Sequence, residues 1–418
     1  MKKLFTILYG LLIVLSVSAQ ELSESEQLEQ RIGVLENTNE ILSKLKVSGY
    51  IQGQYQWGQQ HASLKVGTGN ENPNKSFSRI GIRRGRIKFT YDASLLMQGV
   101  FQLDITEKGV GFKDAYINIK DPWINTLQLR AGIFDRPFGN EISYSSSRRE
   151  SPERSALFQT LFPDERDLGA MVILQPSKSS PWNPLKLETG LFAGNGIKSE
   201  TDSKLDFIGH LSYVKPIRNI SFGAGVSYYN GSVYQGSSKI YTMEGDRFVE
   251  NDNESNIGGY AKREYFGFDL QFTALTRAGM TQLRGEYISG QQPGSTSSSK
   301  SPNSDVRPTY DTYIRSFSGS YIILIQDFGT TPFSAILKYD VYDPNTKISG
   351  NQVGNGDGTN KTDLAQHTMG YGLLWRINSA LRLQAFYENV KNETSVKVNG
   401  YETVRKADLF TLRLQYKF

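Results

Sequence analysis

The stretch Val47-Ser48-Gly49-Tyr50-Ile51-Gln52-Gly53-Gln54-Tyr55-Gln56-Trp57 sorts into two faces: Val47, Gly49, Ile51, Gly53, Tyr55 and Trp57 on one parity, and Ser48, Tyr50, Gln52, Gln54 and Gln56 on the other. A period of two marks a strand whose sides meet different environments. The carboxyl end repeats the pattern, with Phe410, Leu412, Leu414, Tyr416 and Phe418 set against Thr411, Arg413, Gln415 and Lys417. Similar stretches lie near 79–91, 96–106, 111–120, 127–134, 167–175, 185–193, 205–214, 219–229, 260–274, 279–290, 312–325, 333–342, 364–377 and 380–391, although those at 96 and 312 alternate poorly. The expectation is sixteen strands.

The connections say what these strands build. Links after the even strands are short, as at 92–95, 215–218, 275–278 and 378–379. Those after the odd strands are mostly long and polar, as at 58–78, 135–166, 230–259, 291–311 and 343–363. An even number of strands with alternating short and long links is the layout of an outer-membrane barrel. Sixteen strands enclose water. The fold class expected is therefore all-β, a 16-stranded antiparallel transmembrane β-barrel over 47–418, with aromatics such as Trp57, Tyr91, Phe134, Tyr228 and Tyr287 at interfacial girdles. The mean hydropathy is negative, which fits a chain that gives lipid only every second strand residue. A secreted soluble all-β protein is the alternative. Against it, Phe418 closes an alternating strand, the kind of carboxyl-terminal signal that outer-membrane assembly machinery reads.

Ahead of the strands, Lys2 and Lys3 precede an apolar run to Val17 and a small-residue exit at Val17-Ser18-Ala19, the layout of an export signal over 1–19. The run is short for the roughly 20 residues that span a bilayer as a helix. Residues 20–46 read as a helix, with Leu28, Ile32, Leu35, Asn39 and Leu42 forming a coiled-coil seam and Asn39 as its register-fixing polar position. A lone amphipathic helix is the bland alternative.

The chain has 418 residues and no Cys, and its 47 Lys+Arg against 42 Asp+Glu leave a formal +5. That total is too weak to suggest nucleic acid. By segment it becomes +2 in the signal, −3 in the helix and +6 in the body. The polar parity of the strands would place Arg84, Arg86, Lys88, Lys120, Arg130, Lys186, Arg284, Lys338, Arg376, Arg382, Arg413 and Lys417 inside, against Asp104, Asp114, Glu188, Asp269, Glu286, Asp340 and Glu388. A basic-leaning wall raises local anion concentration. Mixed charge kept merely for solvation is the competing reading. The link 135–166 carries Arg136, Arg148, Arg149, Arg154 and Arg166, together with Phe138, Ile142, Leu157, Phe158, Leu161 and Phe162. So apolar a loop is expected to fold inward as a constriction. Its arginines suit carboxylate, phosphate or sulfate, about half of them instead pairing with the loop's own acids. The candidate pore-lining, anion-binding set is Arg84, Arg86, Lys88, Arg130, Arg136, Arg148, Arg149, Arg154, Arg166 and Arg413.

The run Arg83-Arg84-Gly85-Arg86-Ile87-Lys88, the segment Gly132-Ile133-Phe134-Asp135-Arg136-Pro137-Phe138-Gly139, Glu153-Arg154-Ser155 and Arg166-Asp167-Leu168-Gly169 resemble the phosphate-selective porin O and P family. The resemblance spans nearly the whole mature chain. It implies a sixteen-stranded, trimeric outer-membrane porin of a Gram-negative bacterium that passes anions, with Arg84, Arg86 and Lys88 on the inner wall and Arg136 and Arg154 at the constriction. Phosphate selectivity in that family goes with lysines near the constriction, and no Lys lies between Lys120 and Lys178. A broader anion or small-solute pore is therefore expected.

Other chemistry finds little support. His61, His210 and His367 lack metal-ligand spacing, and no Ser is marked out as a nucleophile. No cofactor, metal or enzymatic activity is expected. The loop from Asp343 to Asn360 lacks the acidic spacing of a calcium site. The expected partners are outer-membrane lipid, small anions and further copies of the chain. The rival hypothesis is a plugged barrel acting as a surface-binding or accessory protein, its recognition loops at 230–259 and 291–311.

Overall fold

The computed structural model describes residues 24–124, 126–355 and 358–418, so the expected signal at 1–19 lies outside the described residues. Contacts group the chain into two units, one ending at Lys46 and one from Val47 to Phe418. In the first, α1 (Glu24–Lys44) is a helix whose Leu28, Ile32, Leu35 and Leu42 are all exposed.

The second unit is built from β1 (Leu45–Gly58), β2 (Phe77–Asp92), β3 (Met97–Thr106), β4 (Gly109–Lys120), β5 (Leu127–Asp135), a short helix α2 (Ala156–Leu161), β6 (Arg166–Leu174), β7 (Leu185–Phe192), β8 (Asp206–Ile217) and β9 (Ile220–Tyr234). It continues through β10 (Lys239–Glu244), β11 (Arg247–Asp252), β12 (Tyr260–Thr276), β13 (Gly279–Gly294), β14 (Thr312–Asp327), β15 (Phe333–Asp343), β16 (Gln366–Arg376), β17 (Leu381–Asn392) and β18 (Leu409–Lys417). Leaving out β10 and β11, each strand pairs antiparallel with its sequence neighbours, and β9 pairs with β12. β18 returns to β1 in the register Tyr50↔Lys417 through Gly58↔Leu409. The last residue completes the seam, since Gly49 and Phe418 exchange backbone hydrogen bonds of 2.9 and 3.0 Å. The result is a closed 16-stranded antiparallel barrel. Closure matters because it leaves no unpaired backbone edge facing lipid.

The alternation read from sequence is the burial pattern of the wall. In β1, Tyr50, Gln52, Gln54 and Gln56 are buried while Ile51 and Tyr55 face outward; in β18, Thr411, Arg413 and Gln415 are buried while Leu412, Leu414 and Tyr416 are exposed. A polar interior with an apolar exterior inverts a soluble protein, and only lipid outside makes that favourable.

The long polar link 230–259, read from sequence without strands of its own, contains the hairpin β10–β11. Gly245, with φ +63°, makes its turn. The hairpin is held by parallel pairing of 240–242 with 312–314 on β14 and by Tyr241 stacked on Tyr313 with ring centroids 4.4 Å apart.

Candidate pore

The link between β5 and β6 folds into the barrel. Phe138, Ile142, Leu157, Phe158, Leu161 and Phe162 are fully buried and join one core with wall residues Phe134, Phe192, Ile208, Tyr229, Tyr265, Ile288, Phe317, Tyr321 and Ile336. Rings from the loop meet rings from the wall, Phe162 against Tyr265 at 5.8 Å and Tyr229 at 6.1 Å, and Phe158 against Tyr321 at 6.2 Å. Each buried Phe contributes roughly 1.5–3 kcal/mol, so apolar burial alone explains why this segment leaves water. Gly139 (φ +59°) lies so close to the Glu286 carboxylate that a Cβ there would clash with it. Backbone N–H groups of Gly139 and Glu141 donate to Ser227 Oγ (2.9 Å) and Glu286 Oε1 (2.5 Å) on the wall.

The loop's other side is ionic. Glu153 accepts from Arg83 (2.8 Å), Arg84 (3.0 Å) and Arg413 (2.8 Å), three guanidinium groups on two strands. Burial alone would raise its carboxyl pKa, but those three charges hold it well below the ordinary value. Glu150 pairs with Arg284, and Glu141 with Lys338 at 3.2 Å. At the loop's return, Asp164 (φ +58°) and Glu165 (φ +70°) adopt the left-handed conformation without being glycine. Such strain persists where surroundings over-determine it. Here Asn303 donates to Asp164 at 2.7 Å, and Arg154 and Arg166 both engage Glu165.

The ten residues singled out from sequence fall into two groups. Arg84, Arg86, Arg136, Arg154, Arg166 and Arg413 are buried in carboxylate pairs: Arg86 with Asp104 (3.1 Å), Arg136 with Asp167 (2.9 Å), Arg154 with Glu165, and Arg166 with Asp114 (2.7 Å) and Asp135 (3.2 Å). Lys88, Arg130, Arg148 and Arg149 have no ion pair among the described residues. Arg130 sits over Tyr116, 4.6 Å from the ring centre, and Arg148 is exposed. Arg149 is buried, donates only to backbone carbonyls of Ser151 and Pro152, and is brought down to about 10 by burial with Arg84 nearby.

Two cavities flank the loop. The lower, about 360 Å³, lies beside Ser48 and Gly49 of β1 and the end of β18 and is lined by Arg86, Lys88, Arg148, Arg154, Arg166 and Lys417, with only Asp114 and Asp135 as acids. The upper, about 410 Å³, lies among the long links and is lined by Lys65, Arg154, Lys300, Lys361 and Arg405, with Glu153, Asp340 and Glu388 as acids. Arg154 lines both. It is pinned between them by donating to the carbonyls of Glu141 (2.7 Å) and Ile142 (2.8 Å).

Sequence reading missed several interior charges. Arg263 shares the parity of Asp269 and pairs, fully buried, with Asp206; Arg315, on the poorly alternating strand, pairs with Asp363 at 2.8 Å. Arg83 lies on the parity opposite to Arg84 and still reaches Glu153. His210, a lumen side chain, lies with Nε2 2.9 Å from Asp269, which the parity reading had already placed inside.

Solved structures share this architecture. OprB of Pseudomonas putida superposes with a TM-score of 0.56 at 11% identity, covering 91% of this chain and 96% of that one. An anion-selective porin from Comamonas acidovorans gives 0.52 at 12%, covering 90% and 99%. The trimer form of OmpT, an outer membrane protein of Vibrio cholerae, gives 0.51 at 10%, covering 90% and 99%. The fold is that of an outer-membrane porin barrel. No protein-family model matches the chain, and no curated protein does. The resemblance in the arginine-rich motifs therefore stands on those residues alone, and the likeness of fold carries no substrate with it.

Proposed function

We propose that this chain is a passive pore in the outer membrane of a Gram-negative bacterium, preferring small anions, with no residue that turns over substrate. The observation that carries this is the pair of cavities on either side of the inserted loop, each lined by more cations than acids and both reaching Arg154. A cationic passage with low-dielectric walls concentrates anions and lowers their barrier. Of the ten candidates, Lys88, Arg130, Arg148 and Arg149 form no ion pair among the described residues, so a carboxylate neighbour cancels their charge least. Phosphate is one candidate solute within this class, on the strength of the arginine motifs. Trimeric assembly is supported by the trimer form of a structural neighbour and by the exposed apolar seam of α1. Reversal potentials in planar bilayers under a KCl gradient test the proposal. An anion-selective potential is expected, and a cation-selective one overturns the preference.

A second reading has its own support. The loop is tied to the wall by an apolar core and by ion pairs, and its backbone at 141–142, with Arg154, lies between the cavities. A barrel plugged there would be a surface-binding or accessory protein. Swelling of liposomes in small sugars separates the two, because a plug admits none.

A further inference from the structure

We propose that the upper cavity is a binding site for an acidic sugar, a polyhydroxylated ligand bearing one carboxylate or phosphate. The inference rests on the pore reading for its route into the cell, but not for its chemistry. Four separate links each bring one cation to this cavity: Lys65 from β1–β2, Lys300 from β13–β14, Lys361 from β15–β16 and Arg405 from β17–β18. None of the four makes an ion pair among the described residues.

The backbones that carry these cations are anchored, with Lys300 and Lys361 themselves exposed to incoming solute. Lys361 opens a short turn whose Asp363 is fully buried against Arg315 (2.8 Å) and Asn345 (3.0 Å). Arg405 donates to Tyr401 Oη at 2.7 Å while its backbone N–H bonds Asn392 at 2.8 Å. Ser301, next to Lys300, donates its N–H to the carbonyl of Thr160 on the inserted loop at 3.1 Å. The Lys65 N–H donates to Gln56 on the wall at 2.6 Å. Positions fixed before binding lower the ordering cost that a ligand must meet.

The acids decide which kind of anion fits. Asp340 and Glu388 line the same cavity and form no salt bridge; Asp340 accepts only the Ala156 N–H at 3.4 Å. A bare anion such as chloride or acetate is drawn by the cations but has no hydroxyl to donate to these two carboxylates. Sugar hydroxyls donate to carboxylates, and such charge-assisted bonds are about twice as strong as neutral ones. Amide and hydroxyl groups of Gln159, Gln366 and Thr368 complete a lining that suits a polyol with one acidic end. The volume of about 410 Å³ falls in the range of small-molecule sites, roughly 300–1,000 Å³.

The test is calorimetric titration of the full-length protein in detergent with glucuronate, glucose 6-phosphate, glucose, acetate and glycine, run beside KCl conductance of the same preparation. Glucuronate or glucose 6-phosphate should bind at least about tenfold tighter than glucose or acetate, the weight of one charge-assisted contact; the two arms tell a carboxylate from a phosphate preference. Equal affinity for glucose or acetate overturns the proposal, and glycine binding as tightly as either acidic sugar overturns it in favour of a zwitterion site. Glu388→Gln and, on the exposed turn where folding is not at stake, Lys361→Met should each weaken the acidic sugar several-fold. Wild-type affinity in Lys361→Met overturns the assignment. Conductance without acidic-sugar binding defeats this inference alone, whereas binding without conductance defeats the pore.

Discussion

The inner wall has two unlike halves. From β5 round to β15 it presents Phe134, Phe192, Ile208, Tyr229, Tyr265, Ile288, Phe317, Tyr321 and Ile336, and the inserted loop lays its phenylalanines and leucines there. From β18 round to β4 it presents Gln52, Gln54, Gln56, Arg84, Arg86, Asp114, Arg413 and Gln415, and the same loop turns Glu153 and Arg154 toward that side. One half binds the loop mainly by excluding water, with Arg284 and Lys338 there adding ion pairs to Glu150 and Glu141. The other binds it by charge and lines the lower cavity beside it. The difference teaches that one inserted loop can be anchored by apolar packing on one side while its other side meets a charged, hydrated wall.

The largest effect is expected from breaking the apolar anchor. Phe162→Ala should cost about 3–5 kcal/mol, as for other buried aromatics, seen as a lower urea midpoint of unfolding. It should also give larger, noisier single-channel currents as the loop loosens; unchanged conductance and midpoint would mean that this core does not hold the loop. Next comes the ionic anchor. Glu153→Gln leaves Arg83, Arg84 and Arg413 without their shared carboxylate, an uncompensated burial worth about 3–5 kcal/mol, and should raise anion selectivity. Its pH dependence has a definite sign. Because the folded carboxyl pKa lies below the ordinary 4.5, its stabilisation is present above that value and is lost only as pH falls through the lower folded value. The difference in urea midpoint between the wild type and Glu153→Gln should therefore hold steady from pH 8 to pH 5 and shrink only in stronger acid; a difference that shrinks between pH 6 and 7 would mean that the three arginines do not hold this carboxyl down.

Smaller effects belong to the open side. Lys88→Glu with Arg148→Glu should cut the anion-to-cation permeability ratio about fivefold, taking roughly 1 kcal/mol for a contact between unit charges in water. If reversal potentials do not move, the lower cavity is off the ion path. Arg136→Glu is a poor probe of selectivity, since it would bury a second carboxylate against Asp167. The smallest effect is that of salt. Raising KCl from about 0.1 to 1 M shortens the screening length from about 10 to 3 Å and should weaken selectivity without abolishing it.

Much of the barrel was legible because strand alternation is local. All sixteen wall strands lie where period two placed them, including β14 and β3 with their irregular patterns. The hairpin β10–β11 was not, because its six-residue strands depend on pairing with β14 and on the Tyr241–Tyr313 stack. Interior position could be read for Arg84 and Arg413, but their partner could not, since Glu153 lies far away in sequence on a loop. Arg83 escaped the parity rule altogether.

The sequence by itself determined the closed barrel, its polar lumen and the inward loop, because alternation, link length and apolar content are properties of short stretches. Only the tertiary structure decided which charges remain available to a solute. That depends on which carboxylate the folded chain brings within a few ångströms of each arginine, and pairs such as Glu153 with Arg413 are 260 residues apart. Charge pairing at such separations is set by how the wall closes and how the loop packs, and no local pattern encodes it.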